Sequence, residues 1–139
     1  MKEAYPTFIA EDGKDFLVYV PDMAIYTFGK SIADAIDMAR DAIGLKGIGM
    51  EDDNLELPVP STYAEAMLKA KEDIDVFDYT QGMLTFVDVD FMEYRRHNDT
   101  RSVRRNVTLP NWLNSAAIEA GMNVSRILQE ALIEKIGYR

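Results

Sequence analysis

The sequence contains no cysteine and only one histidine, His97, among its 139 residues. A disulfide framework or a Cys/His zinc site therefore cannot form, and a mechanism based on a cysteine nucleophile or a Ser/His pair has almost nothing to use. We accordingly expect a protein that is not an enzyme and that holds no metal or other cofactor.

Long apolar runs are also absent. No stretch approaches the roughly 20 residues that a membrane helix needs, and the first six residues lack the apolar core of a secretory signal. We expect no membrane contact and a cytoplasmic location. Apolar residues nevertheless make up 47% of the chain and charged residues 28%, which is typical of a globular protein with a core.

Basic residues are scarce in the first part of the chain and frequent in the last. Residues 101–139 have six basic and three acidic side chains, a net charge of +3, whereas residues 1–100 have nine basic and 21 acidic side chains, a net charge of −12. Such asymmetry indicates two parts with different partners. The basic part could bind nucleic acid, and the acidic part a basic molecule.

The acidic part has the pattern of a small antiparallel sheet with helices. Residues 5–10, 16–20 and 25–28 are β-branched and aromatic runs, and an Asp12-Gly13 turn joins the first two. Ser31 and Asp34 resemble a capping box ahead of a helix that we expect to end at Gly44 and Gly47. An acidic loop is predicted at 50–54.

An extended connector is predicted at 57–61, because it contains two prolines. Ser61 is a candidate cap for a short helix through Ala70, and residues 83–92 alternate as a fourth strand of the sheet. The polar residues 95–102 are the predicted linker. The predicted domains are therefore 1–98, acidic and α+β, and 99–139.

The last segment has the order strand, helix, helix. Residues 103–109 alternate, and Pro110 suits the first turn of a helix whose apolar stripe lasts until Gly121. Asn123 can cap a second helix that ends near Gly137.

Such a segment is too small to enclose its own apolar residues, and its single strand has two unpaired edges. A second copy solves both problems, because two strands can pair antiparallel about a two-fold axis above four helices. The chain is therefore expected to be a homodimer, with a core of Val107, Leu109, Trp112, Leu113, Ile127, Leu128 and Leu132. The outer face of the ribbon would then present Arg104, Asn106 and Thr108.

This order of strand, Leu-Pro, helix, Gly-x-Asn-x-Ser and helix resembles the ribbon-helix-helix family of DNA-binding proteins. The resemblance implies that Arg104, Asn106 and Thr108 read base edges of double-stranded operator DNA, and their side-chain chemistry suits guanine, adenine and thymine. It also implies phosphate binding at the start of the second helix. The expected phosphate contacts are Arg105, Asn123, Val124, Ser125 and Arg126.

The whole chain resembles the HicB family of antitoxins. The matching features are residues 29–35, the connector at 57–61, the strand at 84–90 and the following Asn-Val-Thr-Leu-Pro at 106–110. The resemblance implies a partial ribonuclease-H-like sheet that masks a basic, mRNA-cleaving HicA-like toxin, and a tetramer formed through the N-terminal domains. An acidic domain would attract such a partner. No toxin-binding residues are assigned from the sequence.

The expected function is thus that of an antitoxin that also represses its own operon. Three alternatives remain open at this point. The tail could serve dimerisation alone, or the N-terminal domain could sense a small molecule for a ribbon-helix-helix repressor. That domain could also be a Mg²⁺-dependent nuclease, because clustered carboxylates can hold such ions. The candidate ligands are Asp88 and Asp90 with Asp12, Asp15 or Asp22.

Overall fold

The computed structural model describes residues 1–99 and 101–137. The chain forms two compact units, Met1–Arg101 and Ser102–Arg139. The first contains strands β1 (Lys2–Asp12), β2 (Asp15–Val20), β3 (Ile25–Gly29) and β4 (Gly82–Asp90), and helices α1 (Ile32–Asp52), α2 (Tyr63–Glu72) and α3 (Phe91–Asn98). The second contains α4 (Asn111–Glu119) and α5 (Val124–Ile136).

The four strands form one antiparallel sheet in the order β3-β2-β1-β4. The predicted hairpin is confirmed: Asp12 pairs with Asp15, and Gly13 between them adopts a left-handed φ of 63° that favours glycine. The predicted fourth strand also joins the sheet, where it pairs with β1. The mixed α+β class with an antiparallel sheet is therefore confirmed, whereas the ribonuclease-H-like description stays a prediction.

Each face of the sheet has its own core, because strand side chains alternate between the two faces. One core lies against α1 and includes Tyr5, Ile9, Val18, Val20, Ala35, Ala39, Ile43, Val87, Val89 and Phe91. The other lies against α2 and includes Phe8, Ala10, Tyr19, Ala66, Ala70 and Phe77. The alternating apolar residues of the strands therefore fill two layers, one on each face of the sheet.

Helix α1 begins as predicted and ends later than predicted. The Ser31 hydroxyl accepts a hydrogen bond from the Asp34 N–H at 3.0 Å. The helix then continues through Gly44 and Gly47 to Asp52, so the predicted end at these glycines is wrong. The loop predicted at 50–54 is wrong for residues 50–52, whereas residues 53 and 54 do lie outside the helix. Both glycines are buried where α3 crosses α1, and this packing outweighs their weak helix propensity.

Two further boundaries differ from the sequence prediction. Helix α2 is capped by Thr62, not by Ser61 as predicted. The Thr62 hydroxyl accepts from the Glu65 N–H at 3.3 Å in a capping box, whereas the Ser61 hydroxyl donates a hydrogen bond to Asp22. Strand β4 ends at Asp90, whose carboxylate accepts from the N–H groups of Met92 and Glu93 and so begins α3. Residues 91–98 are therefore helical, and the first half of the predicted linker is wrong.

The second unit has the two predicted helices. Asn123 caps α5 by accepting a hydrogen bond from the Arg126 N–H at 3.1 Å, and Gly121 and Gly137 both have positive φ angles at the helix ends. Residues 101–110 have no regular secondary structure in the single chain. The strand at 103–109 requires a second copy to pair with, so it stays a prediction.

Candidate protein and nucleic-acid interfaces

The second unit leaves its apolar side chains uncovered. None of its described residues is buried, and Trp112 is 71% exposed. Of the residues predicted to form a dimer core, Leu109 and Leu128 are half-buried and the other five are exposed: Val107, Trp112, Leu113, Ile127 and Leu132. Several large apolar side chains exposed together on so short a segment are typical of a protein-protein interface.

The predicted base-reading residues lie on the extended segment that precedes α4. Arg104, Asn106 and Thr108 are all exposed, and no hydrogen bond or ion pair within the described residues involves their side chains. Arg105 is also exposed. The polar side chains of this segment are therefore available to a ligand.

The start of α5 has the geometry of an anion site. The Asn123 side chain accepts from the Arg126 N–H, whereas the N–H groups of Val124 and Ser125 have no acceptor within the described residues. Such N–H groups, together with the helix dipole, favour a phosphate. The Arg126 side chain instead forms an ion pair with Glu130, with 3.1 Å between Nε and Oε1.

A groove of about 750 Å³ separates the extended segment from α5. Arg104 and Asn106 line one wall, and Ser125 and Leu132 line the other. The structure thus places two predicted base-reading residues, Arg104 and Asn106, and two predicted phosphate contacts, Arg105 and Ser125, along the same groove.

The carboxylates that were considered as a Mg²⁺ site are not brought together. Asp12 and Asp15 lie at the hairpin, whereas Asp88 pairs with Ala4 near the other end of β1, eight residues away. At about 3.3 Å per strand residue this separation is roughly 26 Å. Within residues 1–99 and 101–137, no group of three His, Cys, Asp or Glu side chains could hold a metal ion.

Two of these carboxylates are neutralised by cations. Asp88 forms ion pairs with Arg40 at 3.1 Å and with Lys2 at 3.2 Å, and the hydrogen bonds from both cations lower the pKa of its carboxyl group. The Asp22 side chain is fully buried and contacts Lys69 at 2.6 Å. Burial alone would raise the pKa of Asp22, but hydrogen bonds from Lys69 and Ser61 outweigh it and the pKa is lowered.

The connector between α1 and α2 is fixed at two points that sequence reasoning missed. The Tyr5 hydroxyl donates to the Pro58 carbonyl oxygen at 2.7 Å, and Ser61 donates to Asp22 through its N–H at 2.8 Å and its hydroxyl at 2.5 Å. Burial, with the negative charges of Glu3 and Asp22, raises the pKa of Tyr5 to about 12, so its hydroxyl keeps the proton that it donates. These partners are 39 and 53 residues apart, and no local sequence signal connects them.

No helix within the described ranges is long and apolar enough to cross a membrane.

The fold and these surfaces define a two-part chain: an acidic α+β unit, followed by a basic two-helix unit whose apolar face is uncovered in one chain. The chain belongs to the HicB-like antitoxin family of bacterial toxin-antitoxin systems, whose model matches residues 5–132. This match confirms the HicB resemblance seen in the sequence. The ribbon-helix-helix identity of the tail stays a prediction.

Solved structures share the fold. One is a toxin-antitoxin complex from Streptococcus pneumoniae, in which a chain of 25% identity matches with a TM-score of 0.59 and 97% of this chain and 99% of that chain are covered. Another is a crystal structure of antitoxin HicB3, with 24% identity, a TM-score of 0.51, and 96% and 98% coverage. No curated protein sequence matches the chain.

Proposed function

We propose that this chain is an antitoxin whose acidic unit binds and neutralises a HicA-like, mRNA-cleaving toxin. The observation that carries the proposal is family membership across residues 5–132, supported by the similarity to a chain of a toxin-antitoxin complex over nearly its full length. The net charge of −12 on residues 1–100 supports it physically, because such a surface repels RNA and attracts a basic ribonuclease.

The second half of the proposal is that the tail dimerises as a ribbon-helix-helix unit and represses the operon of the chain by binding its operator. Its support is the exposed apolar face of α4 and α5 and the two N–H groups at the start of α5. The side chains of Arg104, Asn106 and Thr108, which have no partner within the described residues, support it further. Pairing of residues 103–109 from two copies would give a two-stranded ribbon of the kind that fits the major groove.

Toxin inhibition is tested with a HicA-like toxin, to be sought as a small basic protein encoded beside the gene for this chain. Purified toxin should cleave RNA, and cleavage should stop when the chain is added in equimolar amount. Cleavage that continues in the presence of excess chain would contradict the antitoxin proposal. A separate gel-shift titration with the promoter of the chain and with shuffled DNA tests repression, and equal affinity for both would contradict operator recognition.

The two activities should be thermodynamically linked. If toxin binding changes the affinity of the chain for operator DNA, DNA must change the affinity for toxin by the same factor. The toxin affinity is measured with and without operator, and the operator affinity with and without toxin. Each pair of dissociation constants gives the factor independently. Two unequal factors would show that the preparations are not at equilibrium or that more species are present.

A further inference from the structure

A groove of about 470 Å³ lies between the C-terminal end of α1, the connector and the start of β1. Its floor and walls are mainly apolar, and they include Tyr5, Leu55, Leu57, Pro58, Val59 and Pro60. Leu55 is 57% exposed and Val59 is 85% exposed. Tyr5 belongs to the core against α1 and Leu57 packs on it, so the exposed Leu55 and Val59 extend an apolar surface from the edge of that core.

The groove is held in shape before any ligand arrives. Tyr5 and Asp22 fix the connector at Pro58 and Ser61, as described above, and the Leu55 N–H donates to the Met50 carbonyl at 2.8 Å. A surface that is already ordered loses little conformational entropy on binding, which favours affinity. The exposed Val59 is therefore presented by a fixed segment between two anchors.

Three carboxylates surround the groove: Glu3, Glu51 and Glu56. Glu51 lies 3.9 Å from Arg95, whereas Glu3 and Glu56 have no ion pair or hydrogen bond to their side chains within the described residues. This differs from Asp22 and Asp88, whose charges are balanced by cations. The groove therefore combines apolar walls with uncompensated negative charge.

Helix α1 adds to this negative potential. Its last turn contains Glu51 and Asp52 and no basic residue, and Asp53 follows as the C-cap. A helix C-terminus carries a partial negative charge and is stabilised by cations, so carboxylates there oppose the helix dipole. Arg95 is a nearby cation, at 3.0 Å from Asp52 and 3.9 Å from Glu51, and its single positive charge does not balance the three carboxylates of residues 51–53. Carboxylates at this helix end are locally unfavourable, and binding of a positively charged partner would stabilise them.

We propose that this groove is the docking site for a Lys- or Arg-bearing segment of the toxin. The aliphatic stem of the basic side chain packs on Leu55 and Val59, and its charged head contacts Glu3 and Glu56. Long basic side chains commonly bury their stems while their heads stay polar. The inference rests on the proposed antitoxin function and assigns a surface to it.

Charge distinguishes this occupant from the others that an apolar groove could accept. Nucleic acid would bring phosphates towards three glutamates, and a second copy of this acidic unit would bring further carboxylates, so both are repelled. A basic protein segment is stabilised both by the apolar walls of the groove and by its negative charge.

The test compares two double variants that change the net charge equally. Glu3→Lys with Glu56→Lys alters the groove. The control, Glu11→Lys with Glu72→Lys, alters two exposed carboxylates that lie outside the groove lining and have no partner in the part of the chain that the structure describes. Binding of the purified neighbouring toxin is measured by calorimetry and stopped flow, after circular dichroism has shown that the variants are folded.

The groove variant should bind at least about tenfold more weakly, mostly through faster dissociation, because close charge pairs act on the bound complex. The control should lose less than about threefold, and mostly in the association rate, because it changes only long-range steering. Val59→Ser should also accelerate dissociation without changing the salt dependence.

Equal losses in both double variants would overturn the assignment of the groove while leaving the antitoxin function intact. An unchanged affinity of the groove variant for the toxin would also overturn the assignment of the groove and leave the antitoxin function intact. Failure of the wild-type chain to bind the toxin at all would instead overturn the proposed function and, with it, this inference.

Discussion

Gly47 of α1 lies directly against the ring of Phe91, the first residue of α3, so that a Cβ at position 47 would overlap the ring carbon Cε1. One turn earlier, a Cβ at Gly44 would stand 2.5 Å from Cδ2 of Tyr94. The two glycines therefore provide the space in which α3 crosses α1. This contact explains why α1 tolerates glycines that usually end helices.

Gly47→Ala should destabilise the first unit by about 1–2 kcal/mol, because overpacking of the core outweighs the gain in helix propensity. Gly49→Ala is the matched control, since a Cβ there has no neighbouring atom within 4 Å. The control should stabilise the unit by up to about 1 kcal/mol. Urea unfolding measures both, and two changes of the same sign would contradict the packing described for Gly47.

Asp22→Asn should lower the free energy of unfolding by about 2 kcal/mol, because Lys69 and Ser61 lose their charged partner. The lowered pKa of Asp22 means that its contribution is fully present above the unfolded-state pKa of about 3.9 and is lost as the pH falls through the folded-state pKa. The variant should therefore lose less stability than wild type as the pH falls below about 4. Glu11→Gln is the control in urea titrations at each pH, because the Glu11 carboxylate is exposed and has no partner among residues 1–99 and 101–137. Identical pH profiles for wild type and Asp22→Asn would contradict this role.

Leu128→Asp should weaken self-association of the chain at least about a hundredfold, because it places a charge in the proposed dimer core. Ser115→Asp adds the same charge at an exposed position of α4 and should have little effect. Sedimentation at a series of concentrations measures the dissociation constants. A wild-type chain that remains monomeric at micromolar concentration would contradict the dimer and the ribbon that depends on it.

Asn106→Ala should cost about 1–3 kcal/mol of specific operator binding per subunit while the dimer stays intact, because each subunit loses one pair of hydrogen bonds to a base edge. Asn114→Ala removes the same side chain from an exposed position of α4 and serves as the control. Fluorescence anisotropy with operator and with unrelated DNA separates the two kinds of binding. An equal loss on both DNAs would show that Asn106 does not read bases.

Much of the fold could be predicted from local patterns. Runs of β-branched and aromatic residues identified three strands, and alternation identified the fourth. Ser31 and Asn123 marked two helix starts, because a capping side chain and the N–H group from which it accepts are three residues apart. The ends of elements were less predictable. Gly47 was predicted to end α1 but lies inside it. Its contact is with Phe91, which is 44 residues away in sequence, so no local pattern could show it.

Of the two candidate surfaces, a local pattern predicted one, and only the tertiary structure shows the other. The predicted DNA-reading residues lie within one short alternating segment, so the sequence alone could group them. The groove proposed for the toxin is built from the start of β1, the end of α1 and the connector. No period or spacing joins Glu3 to Glu56, and only folding brings them to one rim.

The sequence by itself determined the division into an acidic and a basic part, the family, and the order of strands and helices except for α3, because charge, period and caps are local properties of a chain. Tertiary structure decided which carboxylates are neutralised and which stay uncompensated. It also decided where the connector is anchored, because Tyr5 with Pro58 and Asp22 with Ser61 are contacts between residues far apart in sequence.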